Sequence, residues 1–196
     1  MKVLIGTHNP GKIQEFKALL NQYHIEVLTV SDFPVQTIEV EETGCSYLEN
    51  ATIKAKKYFE VYRVPVISDD SGLEVVCLDG APGLKSSRFL AAQASYIAKR
   101  KALIELIGAK IPAEAAFVAC LVYFDGIHLI EASGRVSGLI IGEERGTNGF
   151  GYDPIFYLPE YQLTMAEINN QLKNTISHRA RACEALIKKI LSLRSE

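Results

Sequence analysis

The chain has 196 residues, of which 48% are hydrophobic and 22% charged, a globular composition that excludes disordered and fibrous classes. Lys+Arg is 21 and Asp+Glu is 23, a formal net charge of -2, so no global basic field favours nucleic acid as a partner. A chain this long buries a full core without disulfide or metal staples. It reads as a single domain over 1–196, one large body or two lobes sharing a core.

Val3 to Ile5 predicts a short buried strand ending at Gly6, then a helix with Ile13, Phe16, Leu19 and Leu20 on one face. Ile25 to Val30 predicts a second strand. Tyr47 to Tyr62 is helical, with Leu48, Ala51, Ala55, Tyr58 and Phe59 inward. Val64 to Ile67 is a buried strand closing on Ser68-Asp69-Asp70-Ser71-Gly72, and Leu73 to Leu78 is a further strand. Ala92 to Ile107 is a helix stopped by Gly108. Ala116 to Tyr123 and Ile127 to Gly142 read as antiparallel strands joined at Asp125-Gly126. Ser177 to Leu193 is the last helix, with Cys183, Leu186, Ile187, Ile190 and Leu193 as its core stripe. Alternating strands and helices followed by a strand-rich half predict an α/β fold with a mixed central sheet.

The longest nearly uncharged apolar run, Gly134 to Gly142, falls far short of the about 20 residues of a membrane span, so no membrane partner is expected. No secretory signal pattern opens the sequence. Cys45, Cys77, Cys120 and Cys183 form no C-x-x-C pair and read as reduced, mostly buried thiols of a cytoplasmic protein.

Four segments carry chemistry. Thr7-His8-Asn9-Pro10-Gly11-Lys12 lies between a strand and a helix, with Asn9 suited to the N-cap and Pro10 to the first helical position. Lys12 in the first turn opposes the helix dipole, which makes sense around a bound phosphate; the alternative is a capped helix with a solvated lysine. Asp69 and Asp70 stand at the end of a buried strand, where open α/β sheets bind ligands. If the strand persists, the two face opposite ways and one is structural. Glu39, Glu41 and Glu42 form a second acidic group, and such oxygen ligands suit Mg2+ together with substrate phosphates. Ser177-His178-Arg179 puts two basic residues in a first helical turn, with Arg181 and Lys173 nearby, which argues for an anionic partner or a surface basic patch. Gly146-Thr147-Asn148-Gly149-Phe150-Gly151-Tyr152-Asp153-Pro154 sets three glycines around one Phe and holds its ring on a pliant loop, able to stack on a base or to serve as core. The four His, at 8, 24, 128 and 178, show no zinc spacing.

Together the segments THNPGKIQEF, EETGCSYLENATIKA, ISDDSGLEV, GAPGLKSSRF, TNGFGYDPIF and NTISHRARA, in this order, resemble the inosine triphosphate pyrophosphatase family over nearly the whole chain. The resemblance implies an elongated α/β fold in two lobes, helices flanking the sheet and a nucleotide cleft between the lobes. It also implies Mg2+-dependent cleavage of non-standard purine nucleoside triphosphates (dITP, ITP, XTP) between the α and β phosphates, and a homodimer. By resemblance, Asp70 is the general base and a metal-associated carboxylate, and Glu41 the second metal-associated acid. Thr7, His8, Asn9, Pro10, Gly11, Lys12, Lys54 and Ser71 look like triphosphate contacts. Phe150, Gly151, Tyr152, Asp153, Lys173, His178 and Arg179 look like nucleoside and phosphate contacts. Two rivals are a pyrophosphatase for modified pyrimidine nucleotides and a nucleotide-binding regulator without turnover.

Overall fold

A computed structural model describes residues 1–34 and 38–193 of the chain. The first strand, β1 (Lys2–Ile5), is three apolar residues deep in the core. Asn9 caps α1 (Pro10–Asn21) by accepting from the Lys12 N–H, and Pro10 sits at the first helical position, as its fixed φ and missing N–H suit. Next, β2 (Glu26–Leu28) is shorter than the predicted Ile25 to Val30. Val30–Asp32 coils into a 3-10 turn that Asp32 closes by accepting from the Thr29 N–H at 2.7 Å. Ser46 caps α2 (Tyr47–Tyr62), which has the predicted bounds.

The largest departure from expectation is β3 (Val66–Val75). The predicted loop at 68–72 does not exist, and one strand of 10 residues runs through both aspartates, which therefore lie mid-strand and not at its end. Polar residues in a buried strand are tolerated when each has a partner, and those partners are tertiary. Ser68 Oγ, for instance, donates to the Ala51 carbonyl at 2.5 Å. After Val75 the chain turns into a 3-10 segment at Val76–Leu78 rather than continuing as strand.

Ser95 caps α3 (Tyr96–Ile107), which starts later than the predicted Ala92 because the cap sets the boundary. The long strands β4 (Ala113–Phe124) and β5 (Leu129–Ile140) are joined by the predicted turn, where Asp125 Oδ1 accepts from the N–H groups of Ile127 at 3.0 Å and His128 at 2.7 Å. Too short to show periodicity in the sequence, β6 (Phe156–Leu158), β7 (Leu163–Thr164) and α4 (Asn170–Ile176) complete the chain with α5 (His178–Leu193). The strands make one open seven-stranded mixed sheet in the order β2-β1-β3-β4-β5-β6-β7. In it β1 runs parallel to β2 and β3, while β6 is antiparallel to β5 and β7.

The chain forms two compact units. The first comprises Met1–Asp70, Ala119–Gly134 and the chain from His178 onward. Its sheet residues sort with period two. Val3, Ile5, Ile67, Ala119, Leu121 and Tyr123 pack with Phe16, Leu19 and Leu20 of α1 and Leu186, Ile187 and Ile190 of α5. Their chain neighbours Leu4 and Val66 pack instead with Tyr58, and Val122 with Ala51 and Ala55, all on α2. The second unit comprises Ser71–Val118 and Arg135–Ser177. There Leu73, Val75, Phe117, Ile140 and Phe156 pack with Leu103 and Ile107 of α3. Leu193 is exposed and drops out of the predicted α5 stripe. Of the four cysteines only Cys183 is buried, and its thiol is pushed up to about 12 by that burial, while Cys45 is exposed. No helix among the described residues is long and apolar enough to cross a membrane.

Gly126 in the β4–β5 turn has φ +96, and a Cβ there would run into the Phe59 ring. Both the conformation and the clash oppose any side chain. Gly126→Ala is expected to destabilise the protein by at least about 1–3 kcal/mol, read from the midpoint of urea unfolding.

Candidate active site

Because β3 is continuous, Asp69 and Asp70 project to opposite faces of the sheet. Asp69 lies on the side of α1 and α5. Its Oδ2 is 2.9 Å from Lys12 Nζ and accepts from Arg179 Nε at 3.1 Å and Arg179 Nη2 at 3.0 Å. The remaining arm of Arg179 donates to Glu15 of α1, and the guanidinium lies over the Phe16 ring at 5.9 Å. Asp69 and Arg179 are each 1% exposed. Burial alone would raise the Asp69 pKa, but the charges of Arg179 and Lys12 outweigh it and hold the carboxyl well below the ordinary range. Lys12 is pulled the other way: burial and the charges of Arg179 and Lys54 lower it against the attraction of Asp69.

Asp70 lies on the side of α2. Its Oδ2 accepts from Asn50 Nδ2 at 3.0 Å, and its Oδ1 is 3.4 Å from Lys54 Nζ. The same ammonium is 2.6 Å from Glu42 Oε1. Asn50 is itself oriented by its Oδ1, which accepts from the Gly44 N–H at 2.8 Å. Burial raises the Asp70 pKa and Glu42 adds to the rise; Lys54 opposes both without cancelling them. Lys54 is raised, its two carboxylate partners outweighing its burial. Around this end of the first unit, Glu15, Glu42, Asp69 and Asp70 face Lys12, Lys54 and Arg179. The acids exceed the bases by one, and on the Asp70 side two carboxylates share a single ammonium, a donor set that fits a hard cation. Among the described residues, no group of three or more His, Cys, Asp or Glu is gathered for a metal by protein ligands alone.

The second unit carries a separate constellation. Asp153 Oδ2 accepts from the Phe150 N–H at 2.8 Å and from Lys173 Nζ at 2.6 Å, and that ammonium lies over the half-buried Phe150 ring at 5.2 Å. Gly149 and Gly151 both have positive φ, and a Cβ on Gly149 would strike the Asp153 carboxylate, so this turn admits no side chain at 149. Tyr152 is buried, with its hydroxyl donating to the Ser86 carbonyl at 2.9 Å.

The sequence model of the Ham1 family matches residues 3–189. The chain belongs to the Ham1 family. It is 43% identical over 196 residues to the dITP/XTP pyrophosphatase of Aquifex aeolicus, with 95% of each chain covered. Against the dITP/XTP pyrophosphatase of Listeria monocytogenes serovar 1/2a it is 44% identical, covering 98% of this chain and 96% of the relative. The solved structure of the Staphylococcus aureus Ham1 protein superposes with a TM-score of 0.85 at 35% identity, over 98% of this chain and 99% of that one. A Coxiella burnetii HAM1 protein gives 0.86 at 34%, over 98% and 99%.

Within this Ham1 chain the predicted residues sort by unit. Thr7, Asn9 and Lys12 are tied into the loop and first turn of α1, with Pro10 and Gly11 between; Thr7 Oγ1 accepts from the Asn9 N–H at 3.2 Å. His8 is exposed. Lys54, Asp70, His178 and Arg179 belong to the same unit, and the last two are buried, not a surface basic patch. Ser71 follows on β3 in the second unit, with Phe150, Gly151, Tyr152, Asp153 and Lys173. Glu41 is exposed, and the acid of this segment that meets Lys54 is its neighbour Glu42. Glu15 and Asn50 were missed. Asn50 and Lys54, four apart on the buried face of α2 beside Ala51 and Ala55, were the available signal, since polar residues on an apolar stripe need partners.

Asp69 stabilises the fold through a depressed pKa. Its contribution is fully present above the unfolded value of about 3.8 and is lost as pH falls through the folded value below it. Asp69→Asn leaves Lys12 and Arg179 short of a buried counter-charge, which costs about 3–5 kcal/mol, or roughly 6–20 °C of Tm. In thermal melts the deficit is expected to be constant from pH 8 to about pH 4 and to shrink below that.

Proposed function

We propose that this chain hydrolyses dITP, ITP and XTP to the nucleoside monophosphate and pyrophosphate, with Asp70 as general base. Family membership and full-length relatives named dITP/XTP pyrophosphatase make it a nucleoside triphosphate pyrophosphatase, a hydrolase of phosphate anhydrides. The observation that carries the mechanism is the pairing of a buried, pKa-raised Asp70 with Glu42 across Lys54, in the same unit as the α1 N-terminus.

In this reading the triphosphate is held by Lys12, Lys54, Ser71 and the Thr7–Gly11 turn, which lies at the positive end of the α1 dipole. Glu42 and Asp70 would hold Mg2+, with phosphate oxygens and water completing its shell, and the ion would neutralise charge on the phosphates. Asp70 takes a proton from the water that attacks the α-phosphorus, as the bond to the departing pyrophosphate oxygen breaks. Its raised pKa makes it a better base than an ordinary carboxylate, and Asn50 fixes its orientation. Positioning and electrostatics supply most of the rate.

The nucleoside is assigned, within the second unit, to Phe150 through Asp153 with Lys173, and on the family resemblance His178 and Arg179 of the first unit are assigned to the phosphates. Phe150 stacks on the base, and Asp153 accepts the N1–H that hypoxanthine has and adenine lacks. Lys173 carries donors only, which pair with a 6-oxo group and not with the amino group of adenine. On the same family resemblance, the enzyme is assigned as a cytoplasmic homodimer.

Asp70→Asn is expected to lower kcat by about 100-fold to 10,000-fold in a pyrophosphate-release assay with dITP. Its melting point should not fall, because a group with a raised folded pKa costs stability once ionised. Full activity in excess EDTA would rule out the assigned role of Glu42 and Asp70.

A further inference from the structure

The second unit contains a buried cation that the mechanism above does not use. Arg100 lies on α3, on the same stripe as Tyr96, Leu103 and Ile107, where an apolar residue is the norm. Its Nε and Nη2 donate to Glu144 Oε1 and Oε2, both at 2.8 Å, a bidentate fork on the incoming limb of the loop that carries Phe150. Its Nη1 donates to the Gly151 carbonyl at 2.8 Å, on the outgoing limb. One guanidinium therefore ties residues 144 and 151, which bracket Asn148, Gly149 and Phe150.

Neighbouring contacts of α3 reinforce the same place. The Tyr96 ring meets the Tyr152 ring edge-on at 5.6 Å, and a Cβ on Gly151 would touch it at 3.6 Å. Lys99, 2% exposed, donates to the Ser87 carbonyl at 2.5 Å, next to the Ser86 carbonyl that accepts from the Tyr152 hydroxyl. Tyr96, Lys99 and Arg100, within one and a half turns of helix, thus grip the loop and the strip of chain that Tyr152 leans on. Gly149 and Gly151 give the loop a backbone that many conformations would suit. Asp153 closes the loop from within by accepting from the Phe150 N–H, and Arg100 adds, from outside the loop, a side chain that touches both limbs.

We propose that Arg100 is a positioning residue for nucleoside recognition, clamping Glu144 to the Gly151 carbonyl so that Phe150 and Asp153 are held in the orientation that receives a purine. The proposal rests on the assignment of the base to Phe150 and Asp153. Arg100 itself touches neither substrate nor reacting atoms, so its effect belongs to nucleoside affinity and not to the phosphate end.

The test uses the full chain with two ligands, inosine monophosphate and inorganic pyrophosphate, titrated by calorimetry. Arg100→Met and Glu144→Gln are each expected to weaken inosine monophosphate at least tenfold and fivefold, respectively. Pyrophosphate affinity should stay within twofold. The KM for dITP should rise by a larger factor than kcat falls. Arg100→Lys should recover only part of the loss, since an ammonium cannot fork onto Glu144 and still reach Gly151. Amide hydrogen exchange supplies a readout independent of any ligand: in Arg100→Met, protection at Phe150 and Asp153 should fall at least tenfold while that of β4 is retained. Equal weakening of both ligands, or loss of protection across the whole unit, would show a merely structural arginine and overturn the proposal. Unchanged inosine monophosphate affinity together with unchanged protection at 150 and 153 would also overturn it. Phe150→Ala separates the two readings. If it leaves inosine monophosphate affinity intact, the base assignment fails, whereas the exchange data still decide whether Arg100 holds the loop.

Discussion

Adjacent side chains on a strand cannot share a face, and this constraint organises the first unit of the protein. Asp69 and Asp70 are consecutive on β3, so one is delivered to the α1–α5 side and the other to the α2 side. The two then become different chemical objects. Asp69, among Lys12 and Arg179, is held ionised and serves as the counter-charge of a buried network. Asp70, with one shared ammonium, an amide and a second carboxylate nearby, is pushed toward the pKa of a working base. Two identical residues acquire opposite shifts because desolvation acts on both, while opposite charge outweighs it only at Asp69.

The same constraint explains the apparent misfit of Lys12. A cation in the first turn of a helix works against the helix dipole. Here the cost is offset by Asp69 at 2.9 Å, and α1 is thereby fastened to the centre of the sheet through its own N-terminus. The turn before α1 is tied by its own side chains: Asn9 caps the helix and Thr7 closes on Asn9. Arg179 repeats the pattern at the start of α5, joining Asp69 to Glu15. Two helix N-termini are therefore pinned to one carboxylate, and the positive charge is held in pairs inside the fold.

In the second unit, the loop that carries Phe150 has two glycines with positive φ, at 149 and 151. Its order comes from ion pairs: Lys173 with Asp153 on one side and Arg100 with Glu144 on the other. Both cations sit on helices, so the loop borrows its rigidity from regular structure. Buried charges of this kind add little net stability, but they select one geometry among several of similar energy.

The sequence by itself determined the elements with strong local signals. The α1 start was legible in Asn9-Pro10, α2 from its apolar period, and the β4–β5 turn from Asp125-Gly126. These depend on capping, periodicity and turn chemistry, which act within a few residues. Motif order likewise carried the family. What only the tertiary structure decided was whether polar residues are buried or solvated. Ser68-Asp69-Asp70-Ser71-Gly72 reads locally as a loop, and it is a strand because Ala51, Lys12, Arg179, Asn50 and Lys54 arrive from elsewhere to satisfy it. That Glu42 rather than Glu41 meets Lys54 has the same reason: the choice is made by where Lys54 stands, not by the run of acids. Arg100 on an apolar stripe could be read as an anomaly, but its partners lie 44 and 51 residues away. A charge can be counted in a sequence; its desolvation and its partner are properties of the folded chain alone.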